Sequence, residues 1–295
     1  MNDWCHHWLT KNTQSLRLKG YSKNTEEDYN RYISEFLREF PKHPLKITKE
    51  EIRNFMYRLS ESKRLNASTY NNFVAALRFF YTHTLASPDL SKNFLRKKMA
   101  SALPTVLSVE EIRSLFEATH HIKNRLLLKA GYGFGLRVSS AVSLKVDQFD
   151  FGRGVLKVVA DKGKKDRYVS LSPAYTEELK RYLAAFTPSP YLFPGYTLNS
   201  HLSRRTASDI MQQSLNAAGI SKKASFHTLR HSYATHLHEQ GISIRTIQEL
   251  MGHSKLKTTE KYIHISNKNI LQAGSPLDRL YDNFAESSYS PFLII

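Results

Sequence analysis

FHTLRHSYATHL (226–237) sets His227, Arg230 and His231 three and four residues apart, so on a helix the three side chains share one face. Two chemistries suit such a face. His227 and His231, at i and i+4, have the spacing of metal ligands. His227 and Arg230 suit a phosphate, because a guanidinium is planar, always charged and matches two phosphate oxygens. A plain polar helix surface is the third reading.

Upstream, GYGFGLRVSSAVSL (131–144) puts Arg137 between a glycine-rich run and an apolar one. Burying such a charge unpaired is costly, so it needs an anionic ligand or an internal salt bridge. The turn DKGKKDR (161–167) presents Lys162, Lys164, Lys165 and Arg167 between VLKVVA (155–160) and RYVSL (167–171). The period-2 flanks predict a β-hairpin. A lysine at its tip can touch phosphate or donate a proton, or the turn is merely solvated. Downstream, LMGHSKLKTTEKYIHI (250–265) separates His253 from Tyr262 by a Ser/Thr/Lys-rich loop, which by itself reads as surface.

The surrounding pattern is mainly helical. Ser108 and Glu111 form a capping box, and helical segments are expected near 124–134, 173–186, 203–218, 227–240 and 244–251. Before residue 104 no strand alternation occurs. Tyr29, Tyr32, Ile33 and Phe36 recur at helical spacing after Thr25, Thr48 and Glu51 form another capping box, and Ser68 is placed to cap TYNNFVAALRFFYTHTL. Phe73, Phe79, Phe80 and Tyr81 read as core. Asn71, Asn72 and Arg78 on that helix are candidates to read bases. The basic stretch NFLRKKMASALPTVLS (93–108), with Pro104, reads as a linker.

The 295 residues carry a formal net charge of +17 with 41% hydrophobic residues, enough for packed cores. Both halves are basic, +8 over residues 1–103 and +9 beyond, which favours two domains gripping one polyanion. The single cysteine, Cys5, excludes an intramolecular disulfide and a Cys-rich zinc site. No P-loop, HExxH helix or GxSxG elbow is present, which argues against an ATP-driven motor and a zincin. Without a run of about 18 apolar residues or a signal-peptide pattern, the chain is expected to be cytoplasmic and to have no membrane partner.

GLRVS, DKGKKDR, HTLRHSYAT, LMGHS and KYIH follow one another in an order and spacing that resemble the tyrosine site-specific recombinases, which include phage integrases, Xer-type recombinases and integron integrases. The resemblance implies a mainly α chain: a helical, SAM-like core-binding domain at 1–92, a linker at 93–107, a mixed α/β catalytic domain with a small β-sheet at 108–270, and a tail at 271–295 that reaches a neighbouring subunit. It implies six active-site residues: Arg137, Lys162, His227, Arg230, His253 and the nucleophile Tyr262, nine residues beyond His253. Lys162 is taken over Lys164 and Lys165 because the family's lysine is the first of the turn. His231 and His236 then read as structural. One departure is Ser140, where the family usually has an acidic residue three beyond the first arginine.

The activity implied is cutting and rejoining of double-stranded DNA through a 3′-phosphotyrosine, by a homotetramer on two sites. It needs no metal, ATP or other cofactor, and it is open to accessory DNA-binding factors. Three other readings remain: a type IB-like topoisomerase, a DNA-binding protein without catalysis, and a zinc enzyme built on His227 and His231.

Overall fold

The computed structural model describes residues 3–61, 65–98, 104–159, 166–253 and 256–260. The chain divides into two compact units, Met1–Ser101 and Ala102–Ile295. Among the described residues no helix is long and apolar enough to cross a membrane.

The first unit is helical: α1 (Asp3–Leu18), α2 (Lys23–Glu39), α3 (Lys49–Glu61), α4 (Ala67–Phe79), which runs on through a wider turn at Phe80–Thr84, and the short α5 (Pro88–Ser91). Local chemistry sets the starts. Ser22 accepts from the Thr25 amide ahead of α2. Thr48 and Glu51 exchange side-chain and backbone bonds ahead of α3. The cap of helix α4 lies two residues before the expected one: Asn66, not Ser68, accepts from the Thr69 amide at 2.8 Å. Ile33, Phe36, Phe73, Val74, Leu77, Phe80, Tyr81 and Phe94 fill the core with no exposed surface, so these aromatics are core as read. Each such side chain is worth about 1.5–3 kcal/mol of burial.

Two of the candidate base readers have other work. Arg78 Nε donates to Phe94 O at 2.8 Å. Asn71 donates to Lys97 O at 3.0 Å and accepts from Lys97 N at 2.9 Å. Both side chains therefore clasp the segment that leaves the unit.

The second unit opens with α6 (Val109–Glu117), carrying the expected Ser108–Glu111 capping box. It continues through α7 (Ile122–Gly133), α8 (Val138–Val142), β1 (Phe149–Asp150), β2 (Val155–Val158), β3 (Arg167–Ser170), α9 (Pro173–Phe186), α10 (Arg204–Ala217), α11 (Phe226–Glu239), α12 (Ile244–Met251) and α13 (Lys257–Glu260). The sheet is antiparallel in the order β1-β2-β3, with Leu156 opposite Val169 and Val158 opposite Arg167. Leu156, Val158 and Val169 face the core while Lys157 and Tyr168 alternate outward, the half-buried pattern the hairpin reading required.

Helix α11 lies against α7. A Cβ on Gly131 would stand 2.8 Å from Phe226 Cζ, so the two helices touch where only glycine fits. Across α7, buried Glu178 of α9 accepts from Arg125 and Lys129, both at 2.5 Å, and this triad locks the two helices.

Candidate active site

The site is built where α7 ends, α11 begins and α12 ends. Gly135 takes φ +56°, and a Cβ there would lie 2.5 Å from Tyr233 Cδ1, so both the left-handed turn and the space demand glycine. The turn inserts Leu136 into the core and leaves Arg137, half-buried, as the residue that opens α8.

Helix α11 presents two faces. Phe226 and Leu229 enter the core, while Arg230, only 1% exposed, turns toward the turn and α12. A buried guanidinium needs its donors filled. Arg230 donates Nη1 to Gly135 O and Nη2 to Met251 O, the latter at 2.6 Å, and Nη2 also meets His253 Nε2 at 2.8 Å.

Gly252, at φ +60°, ends α12 in a left-handed cap and delivers His253 to this point. The His253 main chain is pinned to Gln248, N to O at 3.0 Å and O to Nε2 at 3.0 Å. Since a guanidinium cannot accept, His253 Nε2 must be the acceptor from Arg230. The ring proton is then on Nδ1, which donates to buried Thr259 Oγ1 at 2.9 Å.

The local field is positive. Desolvation lowers the His227 pKa below its ordinary value, and the charges of Arg230 and Arg137 lower it further. The His227 side chain keeps an exposed surface, so solvent screens this shift. Burial raises the Tyr233 pKa, while Arg167 and Arg230 oppose that rise. Arg167, at the start of β3, donates Nε to Leu250 O at 2.6 Å, and its guanidinium lies 3.1 Å from where a Gly252 Cβ would be. The base of the hairpin is thereby fastened to the end of α12.

Four of the six sequence-derived residues thus converge: Arg137, His227, Arg230 and His253. Lys162 and Tyr262 lie outside the described residues. The rings of His227 and His231 stand edge to face, 4.5 Å apart. Among the described residues no three His, Cys, Asp or Glu side chains are placed to hold a metal ion. His236 is buried and meets Tyr132 Oη through Nδ1 at 2.9 Å, a structural setting as read. Ser140 lines an open cavity of about 480 Å³ with Ser143, Lys145, Lys157 and Tyr191.

A family model described as the phage integrase family matches residues 105–269, which hold all six of these positions. The chain belongs to the phage integrase family. A second model, the phage integrase N-terminal SAM-like domain, matches residues 8–88. Among its relatives, the tyrosine recombinase XerA of Pyrococcus furiosus is 35% identical over 263 residues, 88% of this chain and 89% of that protein. This family member also shares its fold with the XerH site-specific recombinase bound to a palindromic difH substrate in a post-cleavage complex. That match has a TM-score of 0.69 and 24% identity, over 86% of this chain and 80% of that one. A lambda integrase tetramer bound to a Holliday junction matches with a TM-score of 0.70 and 21% identity, over 87% of this chain and 76% of that one. The sequence reading of a mainly α tyrosine recombinase with a small β-sheet therefore holds.

Sequence reasoning missed the partners that hold the site. Gly135 O and Met251 O are main-chain acceptors, which no side-chain pattern reveals. Thr259 carried a weak signal: it is the one Thr between His253 and Tyr262 that a helical turn brings under the imidazole.

Proposed function

We propose that this integrase-family chain is a site-specific DNA recombinase that cuts and rejoins double-stranded DNA through a 3′-phosphotyrosine, without metal or ATP. The carrying observation is the convergence of Arg137, His227, Arg230 and His253 in a positive field at the end of α12.

In this reading Tyr262 Oη attacks a backbone phosphorus, the P–O5′ bond breaks, and a 5′-hydroxyl leaves. A phenol has a pKa near 10, so it must lose its proton during attack. His227, whose pKa burial and the neighbouring arginines lower, takes that proton. Lys162 gives one to the departing 5′-oxygen. Attack builds negative charge on the non-bridging oxygens, which Arg137 and Arg230 offset with preorganised donors. His253 hydrogen-bonds the phosphate; since its Nε2 already accepts from Arg230, doing so needs a second ring proton or an exchange of partners. The phosphotyrosyl bond conserves the phosphodiester energy, so a 5′-hydroxyl of the partner duplex reverses the chemistry and joins the strands.

The division of labour we assign is DNA gripping by residues 1–92, connection by 93–107, chemistry by 108–270 and subunit contact by the tail 271–295, with four copies on two sites in the cytoplasm. The paired DNA-bound relatives and the excess of Lys and Arg in both halves support it. The test is recombination between two marked sites on one plasmid. Exchange of flanking markers supports the recombinase; relaxation of supercoils without exchange would move the assignment to a type IB-like topoisomerase.

A further inference from the structure

The chain enters the second unit by a segment whose main chain, not only its side chains, is held. Leu107 is fully buried, and its N–H donates to Ser232 Oγ at 2.9 Å. Ser232 Oγ in turn donates to Thr228 O, one turn back on α11, at 3.0 Å. The Leu107 backbone lies beside the ring of His236, four residues further, and opposes the burial that lowers its pKa. The Leu107 N–H is already given to Ser232, so the carbonyl is what meets the His236 ring. With the Tyr132 hydroxyl at Nδ1, the ring nitrogen left to face that carbonyl is Nε2. On the loop ahead of α11, Lys222 Nζ reaches Val106 O at 3.4 Å and Glu111 at 2.7 Å.

Thr228, Ser232 and His236 are spaced by four and form one stripe of α11; His227 and Arg230 leave the same helix on other faces. Ser232 has no exposed surface and His236 has 7%. Buried polar groups are retained where they satisfy partners, and besides Thr228 and Tyr132 these two face the interdomain segment. At the other end, that segment leaves the first unit through the Asn71–Lys97 clasp, so side chains grip the connection on both sides.

We infer that Ser232 and His236 are positioning residues: they fasten residues 106–108 to the helix carrying His227 and Arg230, so that docking of the interdomain segment sets how those two side chains meet the phosphate. The catalytic consequence rests on the recombinase reading; the mechanical one does not. A small misplacement of reacting groups is enough to slow chemistry tenfold or more, which makes the coupling measurable.

The test uses the full chain with Ser232→Ala, His236→Leu, His236→Gln and, as a stability control remote from the stripe, Glu178→Gln. Three quantities are read: DNA affinity, single-turnover formation of the protein–DNA adduct at saturating DNA, and amide exchange of residues 227–231 in the free protein. Ser232→Ala and His236→Leu are expected to slow adduct formation about tenfold, to leave DNA affinity unchanged and to speed exchange at 227–231. His236→Gln keeps one donor and one acceptor and is expected to restore most of the rate, while Glu178→Gln lowers the melting temperature without slowing the adduct step. Wild-type rates in Ser232→Ala and His236→Leu, or a Glu178→Gln rate that falls in step with stability, would overturn the inference. Were Ser232→Ala not to fold, the His236 pair decides alone. A wild type that forms no adduct defeats the recombinase reading instead, and exchange at 227–231 then decides the mechanical claim: unchanged protection in the variants refutes it.

Discussion

Arg230 Nη2 and His253 Nε2 stand 2.8 Å apart, joining the helix at 226–239 to the second residue after the helix at 244–251. Removing the arginine leaves Gly135 O, Met251 O and His253 Nε2 without this donor. Arg230→Ala is therefore expected to cost about 10²–10³ in cleavage rate and about 1–3 kcal/mol of stability from orphaned acceptors. Arg230→Lys keeps the charge but not the fork and is expected to rescue stability better than rate. Single-turnover kinetics and thermal melts, taken together, check both.

Thr259→Val keeps the volume at a fully buried position but removes the acceptor for His253 Nδ1–H. The expected cost is about 1–3 kcal/mol, with slower cleavage and unchanged DNA affinity. Thr259→Ser restores the hydroxyl and is expected to recover the rate. Equal rates for the Val and Ser variants would detach Thr259 from the site.

Gly135→Ala meets two obstacles at once, a backbone at φ +56° and the Tyr233 ring 2.5 Å away. Left-handed backbone and overpacking together predict a loss of about 2–4 kcal/mol. Thermal unfolding of the variant measures it, and Tyr233→Ala, which clears the space, should recover part of the loss in the double variant.

Burial depresses the pKa of both His227 and His236 in the folded chain. The unfolded state then binds protons at a higher pH than the folded state. Stability is unpenalised above the unfolded value near 6.5, falls as pH drops through it, and levels off below the depressed folded values. Thermal midpoints measured from pH 8 to pH 5 should show this fall, and His236→Gln should flatten part of it. A bound phosphate carries the opposite charge to the arginines, so the acid limb of cleavage should lie at higher pH in the DNA complex than in the free-enzyme profile.

The helices were legible where caps and apolar spacing agreed, as at Ser108–Glu111, and so was the hairpin with Leu156, Val158 and Val169 facing inward. The strand at 149–150 was not, because two residues carry no period. The start at Ala67 was missed because Asn66 and Ser68 are both good caps and only the fold decides which one reaches an amide. Within the site, Arg137, His227, Arg230 and His253 were readable because each sits in a motif. The roles Asn71 and Arg78 take in the fold were not readable, because their partners, the Lys97 and Phe94 backbones, lie 26 and 16 residues away. Long-range main-chain acceptors leave no mark on local sequence.

That clasp also carries a prediction. Asn71→Ala breaks both bonds to Lys97 and is expected to destabilise the first unit by about 1–3 kcal/mol without changing which DNA sequence is preferred. Selection from a random-sequence DNA library with both proteins compares them; an altered preference would return Asn71 to base reading.

The central claim is that Tyr262 forms a covalent bond to DNA without metal. Wild type and Tyr262→Phe are incubated in EDTA with nicked suicide duplexes drawn from repeats flanking the gene, quenched in SDS, and the adduct is mapped by mass spectrometry. The account predicts a protein–DNA adduct at Tyr262 that survives SDS, forms in EDTA and is absent from Tyr262→Phe. An adduct at another residue, or cleavage that appears only when a divalent metal is restored, would contradict it.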